Sequence, residues 1–392
     1  MTNGGARRSR RGIRGAILGG LAFGAALAGC RTAPPEPAAG RPDPLAVRRP
    51  FRVVSYLPDY AVRQMRDLDG YGPRWLDRLR LEGVECLILH GVVDPTPAGG
   101  IALPWNPAPA NGWIKFSDND FLQIRNHVQA RGIRLGISVG GEGWMNGGTL
   151  AKVAADPTTR AAFASALARF CAANSLATID FDWEYPKTRR EEADYGRLIA
   201  EVKARVGPSG AAVSVCVGGA EMHGRPHVDE ATVRAADRLH LMAYLPPADQ
   251  KAARMAYLEK HVRYWLDVRR LPPEKLFVGI GFFGRQAGPF TAGRPRHMAY
   301  RKIYDAYHPL PGDEDAAGYW FNGVDSVARQ VEYAWAQGLG GVFAWDAAQD
   351  VTTDRPAGAS LQAAVDRTLR RLHHAHPAPA AAGIRQPIAD GR

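Results

Sequence analysis

The sequence predicts a single (β/α)8 barrel, and three observations carry that prediction. Eight apolar runs of strand length alternate with helical patterns between residues 51 and 373. The runs end in glycine, aromatic or polar residues, the chemistry a barrel collects at the C-terminal ends of its strands. No phosphate-cradling G-x-G-x-x-G follows the first run, which argues against a doubly wound open sheet.

Taken in order, the strands are expected at 51–57, 84–90, 133–139, 177–183, 211–217, 238–244, 276–282 and 341–345. Helical periodicity falls between them at 118–130, 158–174, 190–206, 255–270, 326–337 and 360–373. Ser117, Asp325 and Ser360 are the expected N-caps. The first strand delivers Ser55, Tyr56 and then Asp59, and the second delivers His90. Ser138, Gly140 and Gly141 end the third, with Trp144 beyond. After the fifth come Gly218, Gly219 and Glu221, and the sixth gives Met242 and Tyr244. The seventh ends in Phe282 and Phe283, the eighth in Trp345 and Asp346. His90 and His240 are expected as packed strand histidines, and Asp346 and Asp350 as helix caps.

The fourth strand carries the chemistry. In Ile179-Asp180-Phe181-Asp182-Trp183-Glu184-Tyr185-Pro186, three acids alternate with four large apolar residues. The strand period of two places the acids on one face, about 7 Å apart. Like charges at that spacing inside a protein repel, so at least one is expected to hold its proton near neutrality. Such an acid suits glycosidic cleavage, where the leaving oxygen must be protonated. A solvated edge strand fits poorly with Trp183, Tyr185 and the terminating Pro186.

Composition bounds the rest. The 392 residues are 46% hydrophobic and 23% charged, the proportions of a globular protein. The net charge of +11 is misleading, because Arg7, Arg8, Arg10, Arg11 and Arg14 precede Cys30 with no acid among them. Without that segment the excess is +6, and no basic stripe with interleaved aromatics suggests nucleic acid. The basic run leads into an apolar stretch from Ile17 to Leu27 and then Ala28-Gly29-Cys30. This resembles a bacterial lipoprotein signal, in which Cys30 is acylated. Ser9-Arg10-Arg11 is also similar to a twin-arginine signal. The expectation is an exported protein held at the cell envelope through lipid on Cys30, at the outer membrane where a cell has two. Residues 1–29 are then the signal peptide and 30–50 a Pro/Ala-rich tether. The barrel occupies 51–373 and a tail, expected to be disordered, 374–392. Cys86, Cys171 and Cys216 lack the spacing of a disulfide framework or zinc site and are expected as buried thiols.

Together these residues resemble glycoside hydrolase family 18, the chitinases and endo-β-N-acetylglucosaminidases. Asp180, Asp182 and Glu184 match the last three acids of that family's D-x-x-D-x-D-x-E, and Ser138, Gly140 and Gly141 its S-x-G-G. Met242 and Tyr244 match M-x-Y-D, and Trp345 the tryptophan of the last strand. The resemblance implies retaining, substrate-assisted hydrolysis of β-1,4 bonds at N-acetylglucosamine, with no cofactor or metal and a monomeric enzyme. Glu184 would be acid and then base, and Asp182 would hold the substrate's acetamido N–H. Asp180 would share a proton with Asp182, and Tyr244 would donate to the acetamido oxygen. Tyr56, Ser138, Gly140, Gly141, Met242 and Trp345 would shape the substrate subsite. Chitin, peptidoglycan-derived chains and the N-glycan core all offer such a bond. Two positions depart: Ala177 and Leu245 stand where the family has Asp. They motivate an alternative, a catalytically impaired carbohydrate-binding lipoprotein on the same fold. A metal-dependent hydrolase using the acid cluster is a third class. No large α+β insertion is expected after the seventh strand, which predicts an open cleft.

Overall fold

Alternation decides which side of each strand meets the core. In a computed structural model, which describes residues 50–103, 116–142, 147–219, 227–244, 246, 254–286 and 295–375, eight parallel strands form a closed ring. They are β1 (Arg52–Pro58), β2 (Cys86–Pro95), β4 (Arg134–Glu142), β5 (Thr178–Glu184), β6 (Ala212–Val217), β7 (Arg238–Leu241), β8 (Leu276–Gly281) and β13 (Gly341–Trp345). Each pairs with its neighbour in that order, and β13 pairs back onto β1. The short β3 (Ile101–Ala102) runs antiparallel to the end of β2. No helix among the described residues is long and apolar enough to cross a membrane.

Helices α1 (Asp59–Arg63), α2 (Asp118–Gln129), α3 (Gly147–Ala155), α4 (Pro157–Asn174), α5 (Arg189–Val206), α6 (Glu230–Ala235) and α7 (Arg254–Arg263) come first along the chain. They are followed by α8 (Tyr300–Tyr307), α9 (Val324–Ala336) and α10 (Leu361–Ala375). Ser117 caps α2 through a reciprocal box with Asp120, and Ser360 Oγ accepts from Ala363 N at the start of α10. Asp325 is not a cap, because α9 begins one residue earlier and Gly323 takes the N-cap position. Asp346 and Asp350 do cap: Asp346 Oδ1 accepts from Ala348 N at 2.9 Å. Asp350 accepts from Leu361 N at 3.0 Å and Gln362 N at 2.9 Å. The helix expected through residue 270 ends as α at Arg263 and continues as a π-helical turn, Tyr264–Val268. The strand expected through residue 244 stops at Leu241, although Met242 N still bonds Val217 O.

Two apolar layers hold the barrel. Outside it, Phe181 and Trp183 of β5 pack on Tyr195 of α5 with ring centroids 6.4 and 5.2 Å apart. Burying one such aromatic contributes about 1.5–3 kcal/mol. Inside, Val54, Tyr56, Cys86, Ile88, Cys216, Phe277 and Phe343 fill the ring and support Met242, Tyr244 and Trp345. Cys86, Cys171 and Cys216 are buried free thiols, as the spacing implied. The connection between β8 and α9 contains a small antiparallel sheet with α8 beside it. Its strands are β9 (Phe283–Gln286), β10 (His297–Ala299), β11 (Asp315–Ala316) and β12 (Tyr319–Phe321). Cys30 with the signal and tether, Trp144, Glu221 and Leu245 lie outside the described residues.

Candidate active site

Strand β5 turns its acids inward and its aromatics outward, as the alternation required. Asp180, deepest of the three, is fully buried. Its Oδ1 accepts from Ser214 Oγ at 2.5 Å and its Oδ2 from Ser138 Oγ at 2.8 Å. Cys216 Sγ lies 3.5 Å from Oδ2, and His240 Nδ1 lies 3.6 Å from Oδ1. Burial pushes the His240 imidazole down to about 4, although the Asp180 charge pulls the other way. Tyr56 shares a 2.6 Å hydrogen bond with His240 Nδ1. Burial raises the Cys216 thiol well above its ordinary range, with Asp180 and Asp182 adding to the rise. Asp180, Cys216 and His240 bring three ligating atoms within 4.8 Å. Two serine hydroxyls donate to the Asp180 carboxylate in this cluster.

Asp182 comes next towards the C-terminal rim, and it is 4% exposed. Its Oδ2 is 3.1 Å from His90 Nε2, while its buried Oδ1 has no hydrogen-bond partner among the described residues. The two buried acids differ in their partners. Ser138 and Ser214 occupy Asp180, so Asp182 turns to His90 instead. His90 is therefore more than a packed strand residue. Burial alone would lower its pKa, but the hydrogen bond and charge of Asp182, with Asp180 and Asp59, carry the net shift upward.

Glu184 closes β5 at the rim, half-buried, on the same inward face as Asp182 by the strand period. Its charge and that of Asp182 both reach the Tyr244 phenol, whose pKa is raised well above 10.0, first by burial. The Tyr185 phenol is raised as well, by burial, then by the charge and hydrogen bond of Glu184. The peptide bonds Glu184–Tyr185 and Trp345–Asp346 are both cis.

The floor is aromatic. Trp345 is half-buried, with Tyr56 at 5.5 Å, His90 at 5.0 Å and Tyr244 at 6.5 Å between ring centroids. Tyr244 meets Phe283 edge-on at 6.0 Å, which ties the small sheet to the rim. The two consecutive glycines near the end of β4 are there because nothing larger fits. A Cβ on Gly140, at φ +106°, would stand 2.4 Å from the Asp182 carbonyl oxygen. One on Gly141, at φ +139°, would stand 2.9 Å from His90 Cε1.

Most of the residues expected from sequence therefore converge. Asp180, Asp182, Glu184, Ser138, Gly140, Gly141, Tyr244, Met242 and Trp345 gather at the C-terminal half of the barrel. Tyr56 is the exception: it is 1% exposed, sealed below Trp345, and supports the site without reaching a substrate. It points inward from β1 into the closed ring, among Val54, Cys216 and Phe343. Ser138 makes no room for substrate and serves as a donor to Asp180. Ala177 sits just before β5, at the opposite end of the barrel from Glu184. Ser214 and the His90 partnership with Asp182 were not anticipated. A polar residue at the inward, rim-proximal position of an otherwise apolar strand was the available signal for His90.

Comparison with known proteins agrees with this geometry. The model of glycosyl hydrolases family 18 matches residues 100–350. Among solved structures, a chitinase from Bacteroides thetaiotaomicron superposes with TM-score 0.66 at 16% identity, over 83% of this chain and 98% of that one. The Group IV chitinase of Ostrinia furnacalis, solved with allosamidin, gives 0.63 at 20% identity, over 83% and 100%. A class V chitinase from Nicotiana tobaccum gives 0.62 at 20%, over 81% and 99%. Such identities establish the shared barrel and no more. No curated protein matches the chain. The family match spans well over half of the sequence and contains the whole β5 acid run, so the chain belongs to glycosyl hydrolase family 18 and is a glycoside hydrolase.

Proposed function

We propose that the protein hydrolyses β-1,4 glycosidic bonds next to N-acetylglucosamine, with the substrate's own acetamido group as nucleophile. The observation that carries this reading is the buried Oδ1 of Asp182, which has no hydrogen-bond partner among the described residues, on the same strand face as Glu184 and above an aromatic floor. That oxygen suits an amide N–H, which cellulose-type sugars do not have. Trp345 would stack on the apolar face of the reacting ring. Tyr244 would donate to the acetamido oxygen and hold it beneath the anomeric carbon. Glu184 would protonate the departing oxygen as the acetamido oxygen attacks, giving an oxazolinium ion. Asp182 would stabilise the positive charge spread over that ring. Glu184, now a carboxylate, would take a proton from water as the water opens the oxazolinium.

Fluorogenic oligomers of N-acetylglucosamine and of glucose, offered to the purified barrel, test the proposal. Turnover of the acetylated series alone is expected. Equal turnover of both would remove the acetamido group from the mechanism. Tight binding of the acetylated series without turnover would favour the impaired binder that Ala177 and Leu245 suggest.

A further inference from the structure

His90 lies outside the span matched by the family model, on β2, yet it touches the centre of the site. It is 8% exposed, with its ring edge-on to Trp345 at 88° and 5.0 Å between centroids. Gly141 passes so close to Cε1 that its lack of a side chain is required. The ring is held on two sides, and Nε2 is directed at Asp182 Oδ2 at 3.1 Å. The titratable groups that face it are Asp182 and Asp180 from β5 and Asp59 from the start of α1. All three are acids. Asp180 accepts from two serine hydroxyls.

We infer that His90 is a positioning residue: its Nε2–H holds Asp182 Oδ2 and leaves Oδ1 turned towards the substrate amide. This rests on the function proposed above and deepens it. The consequence is a specific pH dependence. An imidazolium beside Asp182 makes the carboxylate harder to protonate, so activity extends to lower pH than it would without the charge. Burial opposes the positive charge, and the surrounding acids outweigh burial, which places the titration of the ring above its ordinary 6.5.

Two variants separate charge from hydrogen bonding. His90→Gln keeps an N–H donor and loses the charge; His90→Phe loses both and keeps an aromatic edge for Trp345. For the Gln variant, the acid limb of the kcat/KM profile should rise by about one pH unit. For the Phe variant, kcat should fall by about 10–100-fold with KM little changed, because Asp182 is no longer held in place. An acid limb that stays put in the Gln variant, or a Phe variant that changes only KM, would overturn the assignment. The 15N shifts of the His90 ring read the same pair without turnover. Titration above 6.5 in the unmutated chain, falling in Asp182→Asn, is expected. Titration at or below 6.5 would overturn it even in a protein that cleaves nothing. Absence of turnover in the unmutated chain, with the ring titrating high, would instead count against the proposed reaction.

Discussion

Glu184→Gln is expected to lower kcat on N-acetylglucosamine oligomers by about 10²–10⁴-fold, with KM within a few-fold of the unmutated value. Glutamine keeps the size of the side chain and a hydrogen-bonding group near the Tyr185 phenol, so the rim of the barrel should persist. What is lost is the proton itself. Without it the leaving oxygen must depart as an alkoxide, and the same side chain can no longer activate water afterwards. Steady-state rates beside a thermal melt check this. Unchanged kcat in a folded variant would mean that another group supplies the proton.

Asp182→Asn should follow, with kcat reduced by about 10²–10³-fold. The reason is hydrogen-bond polarity. His90 donates to Oδ2, so an asparagine in this place would turn its carbonyl to His90 and its NH2 to the other side. The substrate amide would then meet a donor where it needs an acceptor. The negative charge that balances the developing oxazolinium would also be gone. Rates measured on the same oligomers, with binding followed separately, distinguish this from loss of fold. A variant that loses affinity and keeps kcat would place Asp182 outside the transition state.

Much of this site was legible in the chain because the strand period is local. Three acids at alternate positions can only share a face, and the structure has them there. The edges of β5, β6 and β13 fall within a residue of expectation for the same reason. What was not legible depends on closure of the ring. His90 and Asp182 are 92 positions apart and meet only because β2, β4 and β5 lie side by side. In CLILHGVVDP the inward-facing His90 stands out against an apolar strand, but nothing there says that its partner will be Asp182. The partner of Tyr56 is hidden for a related reason: closure of the ring, not the sequence of β1, brings its phenol to His240. The sheet of β9 to β12 escaped notice because strands of two to four residues carry too little periodicity to register. Helix α3 carries little helical signal because it opens on two glycines, poor helix formers that read as loop.

The measurement that bears most directly on the central claim is the configuration of the first sugar released, followed by proton NMR before mutarotation scrambles it. Attack by the acetamido oxygen from one face, then by water from the other, inverts the anomeric carbon twice. The β anomer should therefore appear first. Appearance of the α anomer first would mean that water attacks directly, and that neither Asp182 nor Tyr244 holds an acetamido nucleophile.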